Sequence, residues 1–161
     1  MSGETFYVTP IVIAGRAHFI LWGTGEDVDD RVELAGGRVA HFDGDSSARS
    51  FATARGLDLA PFDAELAFDA SELEKWLSGR RSSVPFVDAL NFWNLGTDIA
   101  SSLGQTWSPR SDEIYDKLFA ADVPWAVGVP EYVPTWSPRQ LKRLRAIISE
   151  AYRIVRGALL D

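Results

Sequence analysis

The feature that most constrains this chain is a change of hydrophobic period near residue 43. Before it, Phe6–Ala14 and Ala17–Trp22 are apolar runs rich in β-forming residues, separated by a Gly15-Arg16 break. Apolar, β-branched and aromatic runs bounded by a turn signal read as a hairpin. Val32–Ala35 and Arg38–Phe42 flank Gly36-Gly37, a dipeptide suited to the positive φ angles of a two-residue turn. The expectation is an antiparallel meander of about four strands.

Beyond residue 43 the period becomes helical. Ser46 or Ser47 is placed to cap a helix through Phe51 that stops at Gly56, and Asp69-x-x-Glu72 resembles a capping box ahead of Leu73, Trp76 and Leu77. Pro85–Leu103 is a long apolar helix ending at Gly104. Trp107-Ser108-Pro109-Arg110 and Trp136-Ser137-Pro138-Arg139 repeat one helix-start signal, with Ser as cap and Pro where a missing N–H costs nothing. The last helix, about Pro138–Leu160, aligns Leu141, Leu144, Tyr152 and Val155 on one face. These elements predict one α+β domain over residues 1–161, the meander packed against about five helices.

At 161 residues, 46% of them hydrophobic, the chain is long enough to bury a core without disulfides. It has no cysteine, which removes thiolate catalysis and cysteine-ligated metals. No run approaches the roughly 18 apolar residues of a membrane span, and the N-terminus lacks a signal-like core, so a cytoplasmic location is expected. Residues 1–80 hold 7 Lys and Arg against 14 Asp and Glu, whereas residues 81–161 hold 9 of each. The net charge of −7 therefore lies in the first half. Such a field repels phosphate backbones, so nucleic acid is not expected as a partner and a basic protein is.

The acidic run Glu26-Asp27-Val28-Asp29-Asp30 misses the glycine and glutamate places of a calcium loop. Asp27, Asp29, Asp30 and Glu33 are read instead as charges that steer a partner, with Trp125 and Tyr132 as anchoring aromatics of an interface. The two histidines, His18 and His41, lack metal-ligand spacing, so no metal and no cofactor is expected. Val39-Ala40-His41-Phe42-Asp43-Gly44-Asp45 resembles the first motif of haloacid-dehalogenase-type phosphatases. That resemblance implies Asp43 as nucleophile and Asp45 as acid/base, an alternative reading as a metal-dependent hydrolase. The remaining motifs of that chemistry are not found.

Asn91, Asn94 and Asp98 share a stripe on an otherwise apolar helix. Buried polar groups need partners, so the stripe is read as a polar brace, with Asn94 and Asp98 bridging each other and backbone of the 104–110 or 123–136 segments. Asp69, Glu72, Leu73, Trp76 and Leu77, then Leu-Asn-x-Trp-Asn-Leu-x-x-Asp from Leu90 to Asp98, then Tyr-Asp-Lys-Leu-Phe from Tyr115 to Phe119, precede a proline-rich segment reaching Trp136. This succession resembles a family of small bacterial proteins similar in character to immunity proteins of polymorphic toxin and contact-dependent inhibition systems. The resemblance covers about residues 69–140. It implies a non-catalytic protein that binds and neutralises a cognate toxin domain. A third reading is a regulatory or structural subunit, and a homo-oligomer is compatible with the sequence.

Overall fold

The computed structural model describes residues 3–61, 68–107, 109, 112–122 and 132–160. Two long strands, β1 (Thr5–Ile13) and β2 (Arg16–Thr24), pair antiparallel from Thr5↔Thr24 to Ile13↔Arg16. The turn between them is Ala14-Gly15, one residue earlier than the sequence break suggests, and both residues have positive φ, 51° and 74°. Those angles match the right-handed twist of the flanking strands, the reason such two-residue turns join hairpins.

The second half of the expected meander is more broken. β3 (Arg31–Val32) pairs with β2 at Trp22 and Gly23, while β6 (His41–Phe42) pairs with β2 at Phe19 and Ile20. Between them β4 (Leu34–Ala35) and β5 (Arg38–Val39) form a separate two-stranded hairpin across Gly36-Gly37. The hinge is Glu33, whose N–H donates to the Leu21 carbonyl and whose carbonyl accepts from Ala40 N–H. Each predicted strand is therefore split in two, one piece on the sheet and one on the projecting hairpin.

Helix α1 (Asp45–Ala54) starts at Gly44, before Ser46, and has no side-chain cap. The short β7 (Phe68–Asp69) adds parallel to the outer side of β1, a strand the sequence reading did not contain. Then come α2 (Ser71–Leu77), α3 (Phe86–Ser102), α4 (Asp112–Asp122) and α5 (Pro138–Leu160). The start of α2 is not a capping box. Asp69 accepts from Ser71 N–H and Oγ, and Glu72 turns outward to Lys75 and Arg81. At α5 the box is complete: Ser137 Oγ accepts from Gln140 N–H at 3.1 Å, and Gln140 Oε1 accepts from Ser137 N–H at 3.0 Å. Ser108 lies outside the described residues. Gly104, with φ of 73°, closes α3 as the Gln105 and Gly104 N–H groups return to the carbonyls of Ala100 and Ser101.

Strand parity sorts the core into two layers. Phe6, Val8 and Leu21 pack with Ala48 and Ala52 under α1, whereas Ile11, Ile13 and Ile20 face the opposite way into a larger cluster with Trp76, Phe92, Leu95, Ile99, Leu144 and Ile148. Both faces of an antiparallel-dominated sheet are thus covered, and the fold is α+β. The closest helix pair is α3 against α5: a Cβ at Gly96 would lie 3.2 Å from Ala151 Cα.

Candidate functional site

The polar stripe of α3 is a set of side-chain links to other elements. Asn94 Oδ1 accepts from Tyr115 Oη of α4 at 2.8 Å, and the Tyr115 ring meets Trp93 edge-on at 5.2 Å. Asp98 Oδ2 accepts from the Trp22 indole N–H of β2 at 3.0 Å. These two residues do not bridge each other, as the i,i+4 spacing suggested, and among the described residues their partners are side chains, not the backbone of 104–110 or 132–136; residues 108, 110 and 123–131 lie outside the described residues. Asn91 is half-buried and makes no such link among the described residues. Lys117 continues the pattern, donating to the Thr135 carbonyl and Gln140 Oε1 while lying over the Trp136 ring. The motifs quoted for residues 90–136 are, to this extent, the joints of the helical layer.

Asp98 stands out among them electrostatically. Burial pushes its carboxyl up to about 7, the nearby charges of Asp30 and Asp29 push the same way, and the Trp22 N–H opposes them. The acidic residues belong to the loop joining β2 to β3, where Glu26, Asp27, Asp29 and Asp30 are exposed and Val28 is 41% exposed. Asp29, Asp30, Ser101 and Ser102 line a cleft of about 370 Å³ between this loop and the end of α3. Ser102 Oγ accepts from Val32 N–H at 3.0 Å and so fixes β3 to the helix. Arg31 also lines the cleft but is bound to Glu4 and Glu33, so the two loop carboxylates and the end of α3 leave it electronegative, and Asp98 lies near enough for Asp30 and Asp29 to act on it.

Glu33 does not belong to this exposed group. It is 8% exposed and accepts from Arg31 and Arg55, each at 3.0 Å. A buried carboxylate needs such partners. The expectation of a steering charge at Glu33 is corrected on that ground, because its charge is already neutralised within the fold. Arg31 also binds Glu4 at 2.9 Å and lies over the Phe6 ring, so the four side chains lock the start of β1 to β3 and α1. Trp125 lies outside the described residues, and Tyr132 is half-buried.

Asp43 and Asp45 are placed by simple ion pairs. Asp43 is exposed and meets Arg16 at 3.2 Å; Asp45 meets Arg49 at 2.7 Å one helical turn along α1. The strand before Asp43 pairs antiparallel with β2, whereas the phosphatase motif resembled by this string sits at the end of a parallel strand. Among the described residues no three metal-ligating side chains gather. His18 is a second group perturbed by burial: it is 3% exposed, neither ring nitrogen has a partner, and burial, followed by His41 and Arg16, holds it below the ordinary histidine range.

No family model, curated protein or solved structure matches the chain. No helix among the described residues is long and apolar enough to cross a membrane.

Proposed function

We propose that this protein is a non-catalytic binding domain that takes a basic protein partner on the loop of residues 26–30. In the setting implied by the resemblance over residues 69–140, it is an immunity-type protein that binds and neutralises a cognate bacterial toxin domain in the cytoplasm. The observation that carries this reading is a contrast in charge pairing. Glu4, Glu33 and Asp43, each next to a strand end, and Asp45, which opens α1, are all bound to arginines. Glu26, Asp27, Asp29 and Asp30 have no ion pair among the described residues.

Four exposed carboxylates on one loop make a local negative field that a basic partner complements. They also attract the partner from a distance, which raises the association rate and discriminates against acidic competitors. Val28 sits among them as an exposed apolar contact. A partner cation beside Asp29 and Asp30 offsets the repulsion that raises Asp98, so binding favours the ionised carboxylate.

The test is capture of partners from the native organism by the tagged protein and by Asp27→Lys/Asp29→Lys/Asp30→Lys, followed by mass spectrometry. One basic, toxin-like protein retained in stoichiometric amount by the first and lost from the second supports the reading. The same proteins retained by both, or none by either, contradicts it.

A further inference from the structure

On the other side of the β4–β5 hairpin lies a second cleft, of opposite sign. It has a volume of about 420 Å³ and opens between that hairpin, the turn that closes α3 and the last turns of α5. Arg38, His41 and Arg153 are its ionisable lining, and no carboxylate lines it. In a chain of net charge −7 that exclusion of acidic side chains is a local reversal of the overall field.

The three side chains reach the cleft from separate elements. Gly36-Gly37 turns the hairpin so that Arg38 follows it directly, opposite Ala35. His41 is held on β6 opposite Ile20, on the face of the sheet that looks toward α3 and α5. Arg153 comes from α5 and spends Nε and Nη2 on Glu150, three residues earlier. Glu150 therefore offsets part of its charge, and Nη1 remains as the donor without a partner among the described residues. Arg38 has no such duty and makes no ion pair among the described residues.

Gln105 adds a neutral amide to the wall, and Leu103 and Ile154 supply apolar surface. Behind His41 lies the buried His18 ring, edge-on with centroids 5.9 Å apart. Because burial keeps His18 uncharged, it brings neither a carboxylate nor a cation of its own. Two guanidinium groups, an imidazole and an amide around an apolar floor match the donor set and size of small-molecule sites, which run from roughly 300 to 1,000 Å³.

We propose that this cleft binds a small organic anion, a carboxylate or phosphate group on an apolar body. Arg38 and Arg153 hold the anionic head, His41 and Gln105 orient it, and Leu103 and Ile154 cover the body. The site is separate from the acidic loop and does not depend on its function.

The probe is 8-anilinonaphthalene-1-sulfonate, an apolar body with one anionic head, titrated by fluorescence into the folded protein. Its uncharged counterpart, N-phenyl-1-naphthylamine, is titrated in parallel. The expected result is saturable 1:1 binding of the anion, weakened about tenfold or more in Arg38→Gln/Arg153→Gln, as loss of charge-assisted hydrogen bonds requires. The uncharged compound should not distinguish the two proteins. Melting curves verify that the variant folds, and the exposed Arg38→Gln alone serves if the double variant does not. Competition with phenyl phosphate and with benzoate separates the two head groups. Absence of saturable binding to the native protein, equal affinity in the variant, or failure of both competitors would overturn the proposal.

Discussion

The indole N–H of Trp22 donates to the carboxylate of Asp98 across 3.0 Å, joining the central strand β2 to helix α3 beside the acidic loop. Because the Asp98 carboxyl is raised to about 7, the folded state holds a proton that the unfolded chain gives up near pH 4. Between those values the folded state binds more protons, so this group lowers stability as pH rises from about 4 to 7 and has no further effect above. Asp98→Asn removes the dependence. Urea unfolding of both proteins from pH 4 to 8 should show Asp98→Asn gaining about 2 kcal/mol relative to the native protein over that range, a value discounted for the carboxyl's remaining solvent contact. Parallel pH profiles would show that Asp98 is not the titrating group.

Glu33 illustrates the opposite case, a carboxylate whose charge the fold uses. Glu33→Ala removes the buried partner of two half-exposed arginines, of which Arg31 keeps Glu4, and should destabilise the protein by about 1–2 kcal/mol. The same substitution should leave the salt dependence of partner association unaltered, because its charge does not reach solvent. Chemical denaturation and association kinetics on one preparation check both statements.

The hairpin turn holds a small strain. Ala14 has φ of 51°, a left-handed conformation that costs an L-residue with a Cβ about 1 kcal/mol, while its N–H donates to Glu74 Oε2 at 2.9 Å. Ala14→Asn keeps that donor and creates the favoured Asn-Gly turn, so thermal unfolding should show a gain of about 0.5–1 kcal/mol.

Gly96 makes the reverse prediction. A Cβ at this position would lie 3.2 Å from both Cα and Cβ of Ala151 in the α3–α5 contact, so a β-branched side chain there must push the helices apart. Gly96→Val should cost about 2–3 kcal/mol, measured by denaturant titration, despite the better helix propensity of valine.

Much of the architecture is legible in local sequence because its signals are local. The β1–β2 alternation, the Gly36-Gly37 turn, the apolar run of α3 and the Ser137–Gln140 cap each act within a few residues. Elements that depend on distant partners are not legible in this way. β7 has two residues and no period of its own; it is a strand only because β1 offers it an open edge. Glu33 reads as a surface charge until Arg55, 22 positions away, comes to it. The stripe on α3 signals that partners are needed, but not that they are Trp22 and Tyr115. Of the expected steering residues, Asp27, Asp29 and Asp30 are exposed on one loop, and the composition already placed the excess negative charge in that half of the chain.

The loop is proposed to receive a basic protein partner by electrostatic steering. The most direct measurement is the association rate constant of the captured partner with the native protein and with Asp27→Lys/Asp29→Lys/Asp30→Lys, at low and at physiological salt. Steering requires a rate at least about tenfold slower for the variant at low salt, a flattened salt dependence, and little change in melting temperature. Equal rates with equal salt dependence in the two proteins would contradict it.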